Sequence, residues 1–169
     1  MNILDDGCGR GEFLNGFISN GLNGYGTDQS NYVTKISTNI KFKNSDLEKD
    51  GITFPDNYFD YVFSKSVIEH FFNPENLSSE IFRVLKPGGL AIIMCSSWEY
   101  NYKIFYEDYT HRTPFTKISL NDFLLINGFK NVNSDYFRKL PILWRFKYLK
   151  IFSEFTRLFI PSKFKKYSK

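Results

Sequence analysis

Three glycines at every second position, in the stretch ILDDGCGRGEF of residues 3–13, constrain the fold of this chain more than any other feature. An apolar pair and two aspartates precede them, which predicts a short strand over residues 2–5. Residues 12–20 follow with the apolar spacing of a helix, and Gly21 is a typical helix stop. A glycine-rich turn between a strand and a helix lets a ligand approach the backbone where a β-carbon would collide with it.

Strand-like and helix-like segments continue to alternate along the chain, without internal repeats. The later predicted strands lie at residues 24–28, 40–44, 58–64, 90–95 and 130–136, and the continuous apolar run at 90–95 predicts a buried strand. Three later helices are predicted. The first follows the strand at 24–28 and ends at about residue 39. The second begins at Pro74, with Asn73 as its cap, and stops at Pro87-Gly88-Gly89, and the third covers 120–127 with Ser119 as its cap. This order predicts an α/β fold with a doubly wound, mostly parallel sheet in three layers.

Length and composition predict one domain with a substantial core, since the chain has 169 residues and a hydrophobic content of 42%. Two cysteines and no apparent signal peptide favour a reducing compartment, so we expect a cytoplasmic protein. The chain lacks the run of about 18 uncharged apolar residues that would predict a membrane-spanning helix.

The charge is distributed unequally between two parts of the chain. Residues 1–135 hold 12 Lys and Arg against 17 Asp and Glu, a net charge of −5, whereas residues 136–169 hold 10 against 1, a net charge of +9. Within the second part, residues 142–160 have the pattern of an amphipathic helix with a wide aromatic and apolar face. We expect this basic extension to cover the core or the substrate pocket, or to lie on an anionic inner membrane surface. Nucleic acid is disfavoured, because no recognisable RNA-binding module accompanies the basic residues.

The spacing of the glycines argues against two common nucleotide sites. A phosphate-binding Walker loop needs Gly-Lys-Ser/Thr after four intervening residues, and this sequence has none. In a nicotinamide dinucleotide fingerprint, the last glycine would fall at Glu12 when counted from Gly7, or at Leu14 when counted from Gly9. Neither pattern fits.

What remains is a hydrophobic pair followed by Asp-x-Gly-x-Gly-x-Gly, and three further segments accompany it in order. The four segments are LDDGCGRGEFL, YGTDQS, NSDLEKDGITFPDNYFDYVFSKSVIEHF and FRVLKPGGLAIIM. In this combination the chain resembles the class I S-adenosylmethionine-dependent methyltransferases with a type 11-like domain, over residues 1–129. The resemblance implies a Rossmann-like fold with S-adenosylmethionine as the cofactor. In that family further helices precede the first strand and help to close the cofactor pocket, whereas this chain begins at the first strand.

The resemblance also implies a cofactor site made of Asp5, Gly7, Cys8, Gly9, Gly11, Asp28, Gln29, Asp46, Leu47 and Ser64. In the family, the residue at Asp5 holds the cofactor's ammonium group, and the residue at Asp28 accepts from both ribose hydroxyls. Asp46 and Leu47 correspond to the pair at the adenine edge, with Gln29 beside the ring, and Ser64 to a backbone carbonyl at the methionine end. Cys8 fills space between glycines rather than acting as a nucleophile. Asp6 stands where the family has an apolar residue, and its carboxylate adds attraction for a cation.

Two histidines are available as a base for an acceptor that must lose a proton. His111 lies in EDYTHRTPFT, a loop where the family places acceptor-contacting residues, and we predict it as the base or acceptor contact, with Asp108 and Arg112 as neighbours. His70, in VIEHFF, is interpreted as structural. Some quinone-pathway relatives bind a divalent ion nearby, but the extra glutamate that they use corresponds to Ser66, so we predict no metal site.

The leading hypothesis is methyl transfer from S-adenosylmethionine to a small-molecule, sugar or lipid-linked cell-envelope acceptor, at an oxygen atom. An alternative from another class is a noncatalytic protein that keeps the S-adenosylmethionine cleft for sensing or for binding a partner. A nicotinamide-dependent oxidoreductase ranks third, because Glu12 and Leu14 occupy the positions of its last glycine. The sequence leaves the acceptor and the oligomeric state open.

Overall fold

The computed structural model describes residues 1–32 and 40–137. Its five strands are β1 (Asn2–Asp6), β2 (Asn23–Asp28), β3 (Lys41–Asn44), β4 (Phe59–Lys65) and β5 (Leu85–Met94). They form one sheet in the order β3-β2-β1-β4-β5, and every neighbouring pair is parallel. The helices are α1 (Glu12–Ser19), α2 (Pro74–Val84), α3 (Trp98–Asn101) and α4 (Lys117–Ile126). The prediction of a parallel α/β sheet is therefore confirmed.

Helices cover both faces of the sheet, which gives three layers. On one face, Phe13 and Phe17 of α1 pack on Phe63 of β4, with ring centroids 5.2 and 5.3 Å apart. On the other face, the apolar sides of α2 and α4 meet the central strands in the main core. That core includes Leu4, Tyr25, Phe59, Val62, Leu77, Ile81 and Val84, all buried, with Leu120 and Phe123 packed against it.

Because β1 lies at the centre of a parallel sheet, the carboxyl ends of β1, β2 and β4 meet at one edge. Register pairs Asp6 of β1 with Thr27 of β2 and with Ser64 of β4. The loops that follow these three strands therefore converge, and they form the walls of the site described below.

Two predictions about β5 are wrong. The helix was predicted to stop at Pro87-Gly88-Gly89, but α2 ends at Val84, and the strand begins at Leu85, with a register shift in its pairing to β4. The strand was also predicted to be buried, whereas Leu90 is 53% and Ile92 44% exposed. In the described part of the chain β5 forms an edge of the sheet, and a continuous apolar run does not distinguish an edge strand from a central one.

Two predictions in the last described segment also differ from the structure. Helix α4 begins at Lys117, earlier than predicted, because Thr116 rather than Ser119 is its cap. The Thr116 hydroxyl accepts from the Ser119 amide at 3.0 Å and the Ser119 hydroxyl accepts from the Thr116 amide at 2.8 Å, which is a capping box. Residues 130–136 were predicted as a strand, but none forms there.

Several predictions lie outside the described residues. They are the part of the second helix over 33–39, the amphipathic helix over 142–160, and all of the 136–169 extension except residues 136 and 137. Within the described ranges, no helix has the length and apolar character needed to cross a bilayer.

Candidate active site

The glycine turn after β1 takes a backbone conformation that side chains disfavour. Gly7, Gly9 and Gly11 have φ values of 74°, 51° and 75°, all in the left-handed region. The amides of Gly7 and Cys8 both donate to the Thr27 carbonyl, at 2.9 and 3.1 Å, which fixes the turn against the end of β2. The turn leads directly into α1.

Gly7 and Gly9 are needed for different reasons. A β-carbon at Gly7 would lie 2.3 Å from Cγ2 of Val67, so the turn and the loop after β4 approach too closely for any side chain there. At Gly9 a β-carbon would meet nothing within 4 Å. The Gly9 side of the turn is therefore open, as the approach of a ligand to the backbone requires.

Asp28, the last residue of β2, connects the glycine turn to the loop after its own strand. One carboxylate oxygen accepts from the Gly9 amide at 2.8 Å, and the other accepts from the Ser30 amide at 2.7 Å. Each oxygen keeps a further lone pair, because a carboxylate offers about four acceptor positions. Asp28 is therefore held in place by two amides and can still accept hydrogen bonds from a ligand.

A cavity of about 410 Å³ lies between these loops. This volume is within the range of sites for small molecules and cofactors. The cavity lining includes five of the ten residues predicted for the cofactor site: Gly7, Asp28, Gln29, Asp46 and Leu47. These five residues lie together in the cavity lining, and their contact with a cofactor stays a prediction.

A further part of the lining is made by residues for which no cofactor contact was predicted. They are Ser66, Val67, His70, Phe71 and Phe72 after β4, with Thr110 and Arg112 from a later loop. The Arg112 guanidinium lies 4.7 Å from the centre of the Phe72 ring. For the residues after β4, the only signal in the sequence was their position after a strong strand, which predicts nearness to a site but no role. Arg112 was predicted only as a neighbour of His111.

The other predicted residues lie around the cavity rather than in its lining. Gly9 and Gly11 belong to the turn, and Ser64 is buried in β4 opposite Asp6. The Cys8 sulfur packs on β2 so closely that a β-carbon at Gly26 would lie 2.9 Å from it. Burial raises the pKa of the Cys8 thiol to about 12, which is consistent with a space-filling residue and not with a nucleophile.

Asp5 and Asp6 form a pair of buried carboxyl groups beneath the turn. Asp5 is 3% exposed and Asp6 fully buried. One oxygen of Asp5 and both oxygens of Asp6 have no hydrogen-bond partner among the described residues. Burial, with the charge of Asp28 adding to it, raises the pKa of Asp5 to about 7, and burial likewise raises the pKa of Asp6 to about 7. Neither carboxyl group lines the cavity.

Asp46, predicted at the adenine edge, lies on the cavity rim. Its carboxylate accepts from the Lys49 ammonium at 2.6 Å and from the Glu48 amide at 3.2 Å. The hydrogen bond to Lys49 holds the pKa of Asp46 below its usual range, so the group is a carboxylate at neutral pH.

A second cavity of about 340 Å³ opens beside the first, at the carboxyl ends of β4 and β5. Lys65, Met94, Tyr100 and Lys117 contribute to its walls. Ser66 lines both cavities, and its φ of 57° turns the chain sharply after β4. The two cavities are therefore neighbours that share a wall.

His70 and His111 lie together at the edge of the first cavity, with ring centroids 4.7 Å apart. His70 lines the cavity and His111 does not. The His111 Nδ1 atom is 2.7 Å from the Phe105 carbonyl oxygen, and its Nε2 atom is 4.0 Å from an oxygen of Asp108. The role of His111 as a base stays a prediction, and the structure adds His70 as the histidine at the cavity surface.

A glycine turn after the first strand of a parallel sheet, with a fixed carboxylate at the end of the second, is the arrangement of α/β proteins that bind nucleoside-containing cofactors. Comparison with known proteins narrows this class. The profile of the methyltransferase domain family matches residues 4–93, more than half of the chain, and the chain belongs to this family. The cofactor of its members is S-adenosylmethionine, so the resemblance drawn from the four sequence segments is confirmed.

Individual relatives are distant or cover only part of the chain. A sterol 24-C-methyltransferase of Neurospora crassa is 37% identical over 101 residues, which are 53% of this chain and 26% of that protein. The chain thus spans about a quarter of the length of the sterol methyltransferases that it matches.

Solved structures are similar over more of the chain. An S-adenosylmethionine-dependent methyltransferase of Mesorhizobium loti has a TM-score of 0.73 at 18% identity, over 90% of this chain and 85% of that one. A phosphoethanolamine N-methyltransferase of Haemonchus contortus, in complex with phosphomonomethylethanolamine and S-adenosylhomocysteine, has a TM-score of 0.66 at 24% identity, over 96% of this chain and 42% of that one. At these identities both structures show the fold.

Proposed function

We propose that this chain binds S-adenosylmethionine in the 410 Å³ cavity and transfers its methyl group to a small-molecule acceptor. The observation that carries the proposal is the arrangement of Asp28. Two backbone amides fix its carboxylate in the cavity wall beside the open glycine turn, where remaining lone pairs can accept from the two hydroxyls of a ribose.

The charge of the surroundings supports this cofactor over a dinucleotide. The charge of Asp28 contributes to raising the pKa of both Asp5 and Asp6, so the three carboxyl groups lie close together. A pyrophosphate would be repelled by such a cluster, whereas S-adenosylmethionine carries a sulfonium and an ammonium group that the carboxylates attract.

The reaction itself makes few chemical demands on the protein. An acceptor lone pair attacks the methyl carbon, a bond from carbon to the acceptor forms, and the bond from carbon to sulfur breaks. Its electron pair stays on sulfur, so the positive sulfonium leaves as a neutral thioether. Holding the two reactants in line and excluding water can supply most of the rate enhancement. An oxygen acceptor must also lose its proton, to a side chain or to water.

The second cavity, of about 340 Å³, is where we propose that the acceptor binds. It shares Ser66 with the cofactor cavity, so ligands in the two cavities would be neighbours. Relatives named for sterol and phosphoethanolamine methylation support a small-molecule acceptor. A sugar or lipid-linked acceptor methylated at oxygen, as the sequence suggests, remains our more specific hypothesis.

Calorimetry with S-adenosylmethionine and S-adenosylhomocysteine tests cofactor binding, with NAD as the control ligand. Asp28→Asn keeps the shape of the side chain and removes its charge. Since hydrogen bonds to charged groups contribute about 1.5–3 kcal/mol, we expect affinity to fall about 10- to 100-fold. Asp122→Asn, an exposed carboxylate on α4, is the matched control and should bind as the unmodified chain does.

The outcomes separate the hypotheses. Binding of both S-adenosyl ligands that weakens only in Asp28→Asn supports the site, and transfer of a labelled methyl group to a sugar or lipid-linked acceptor then supports catalysis. Binding without transfer to any acceptor class would favour the noncatalytic alternative. Binding of NAD alone would overturn the proposal.

A further inference from the structure

Glu69, His70 and His111 form a cluster of possible metal ligands, of which His70 alone lines the cofactor cavity. Each offers one atom able to bind a metal ion, and the three atoms lie within 4.8 Å of one another. Glu69 and His70 belong to the short 3₁₀ turn after β4, and His111 comes from the loop between α3 and α4. Backbone hydrogen bonds from Arg112 and Thr113 to the Glu69 carbonyl, at 2.8 and 3.1 Å, hold the two segments together.

The hydrogen bonds around His70 determine which of its nitrogens is free. Its Nδ1 atom lies 2.9 Å from the Thr110 hydroxyl oxygen. That hydroxyl donates its only proton to a carboxylate oxygen of Asp108 at 2.6 Å, so it must accept from His70. His70 Nδ1 therefore carries a proton, and in the neutral ring the lone pair is on Nε2.

His111 is fixed in the same tautomer by a different partner. Its Nδ1 atom lies 2.7 Å from the Phe105 carbonyl oxygen, which can only accept. The His111 lone pair is therefore also on Nε2. Metal-binding histidines in proteins almost always donate their other ring N–H to a carboxylate, a carbonyl or a similar group, as both histidines do here.

Glu69 provides the independent observation that points to a ligand. The side chain is fully buried, and one carboxylate oxygen accepts from the Ser96 amide at 3.1 Å. The other oxygen is buried and has no hydrogen-bond partner among the described residues. A buried carboxylate oxygen without a partner is costly, and a cation beside two imidazole lone pairs would satisfy it.

We propose that Glu69, His70 and His111 bind one divalent transition-metal ion, through a carboxylate oxygen and the two Nε2 atoms. Two imidazoles and one carboxylate suit Zn²⁺ and related ions, and they disfavour Mg²⁺ and Ca²⁺, which prefer oxygen ligands. Three protein ligands leave a coordination position open, as in catalytic rather than structural zinc sites. The third ligand comes from His111. The site therefore does not need the glutamate that some relatives have at the position of Ser66, whose absence led us to predict no metal site.

The position of the ion gives the site a chemical consequence. His70 and Thr110 line the cofactor cavity, so the ion would lie at its wall. A water or hydroxyl oxygen bound to such an ion loses its proton more readily. The proposed acceptor cavity is lined by none of the three metal ligands, so metal binding does not depend on the proposed methyl transfer.

The test measures binding of Zn²⁺ and Co²⁺ to the full chain, prepared without a polyhistidine tag and stripped with a chelator. We expect one equivalent of Zn²⁺, a rise in melting temperature on its addition, and visible absorption bands from bound Co²⁺. Mg²⁺ at the same concentration should not bind and should not raise the melting temperature. His70→Gln and His111→Gln should each abolish the absorption bands, while circular dichroism and the midpoint of urea unfolding report whether each variant is folded.

Two further variants keep the proposal falsifiable if the histidine variants fail to fold. Thr110→Val leaves all three ligands and removes the group that orients His70, so we expect Zn²⁺ affinity to fall about 10- to 100-fold. Cys8→Ser with Cys95→Ser removes both thiols and should bind Zn²⁺ unchanged. Absence of Zn²⁺ binding, equal affinity in Thr110→Val, or loss of binding in the cysteine variant would each overturn the proposal.

Discussion

Replacing Asp6 by Asn should change how the stability of the fold depends on pH. Asp6 is fully buried in the central strand, and its two carboxylate oxygens lack hydrogen-bond partners among the described residues. Burial raises its pKa from 3.8 to about 7. Between pH values of about 4 and about 7, the folded chain keeps a proton on Asp6 that the unfolded chain releases. The free energy of unfolding therefore falls as pH rises through this range. Above pH 7 it should level off.

The size of this fall follows from the pKa difference. One pKa unit corresponds to about 1.4 kcal/mol, so the difference between 3.8 and about 7 amounts to about 4 kcal/mol for Asp6. Asp5, whose pKa is also raised to about 7, contributes a fall of the same sign. Asp6→Asn should therefore remove about half of the pH dependence. The side-chain amide of the new asparagine is itself buried, which adds a destabilisation that does not vary with pH.

Urea denaturation followed by tryptophan fluorescence at pH 4.5, 6 and 8 measures the effect. Asp60→Asn is the control, because the hydrogen bond from Lys86 holds the pKa of Asp60 below its usual range. The stability that this pair contributes is present at neutral pH and lost as pH falls, the opposite direction to Asp6. Equal pH slopes for the unmodified chain and Asp6→Asn between pH 4.5 and 8 would refute the reasoning.

Two further pairs of substitutions test the local structure by thermal or urea unfolding. Gly7→Ala should destabilise the fold by about 1–3 kcal/mol, because φ is 74° and Val67 leaves no space for a β-carbon. Gly16→Ala, in open space within α1, should instead stabilise by about 0.5–1 kcal/mol, and equal effects of the two would contradict the argument. Thr116→Ala should cost about 1 kcal/mol by removing the cap of α4, and Ser119→Ala should reproduce part of that loss. An unchanged midpoint in both would show that the capping box does not stabilise α4.

The order of strands and helices was predictable because each element carries a local signal. The glycine turn, the apolar periods and the helix stops all depend on neighbours in sequence. The errors at β5 fall where a tertiary contact decides the outcome, whereas the start of α4 was missed although its capping box is local. Nothing in the apolar run at 90–95 shows that β5 has no neighbour on one side among the described strands, and Pro87-Gly88-Gly89 fits a turn as well as an irregular strand.

The candidate site likewise has a part that local sequence signals predict and a part that depends on tertiary contacts. The part of the lining that contains Gly7 and Asp28 could be predicted, because both residues belong to local motifs at the turn after β1 and the end of β2. The rest of the lining depends on the loop that carries Thr110 packing against the turn that carries His70. This is a contact between segments far apart in sequence. A single sequence contains no local signal for such a contact, so the pairing of the two histidines could not be predicted.

The carboxyl groups beneath the glycine turn link the stability of the fold to the charge of its ligand. Ionising Asp5 or Asp6 in the empty chain is unfavourable because of burial and because Asp28 is nearby. A cation bound in the adjacent cavity attracts those carboxylates and opposes both effects. A ligand that binds the folded chain and not the unfolded chain stabilises the fold, and here its positive charge adds to that effect. On the proposed function, the aspartates that lower the stability of the ligand-free protein at neutral pH are therefore the same groups that favour a sulfonium cofactor over a phosphate-bearing one.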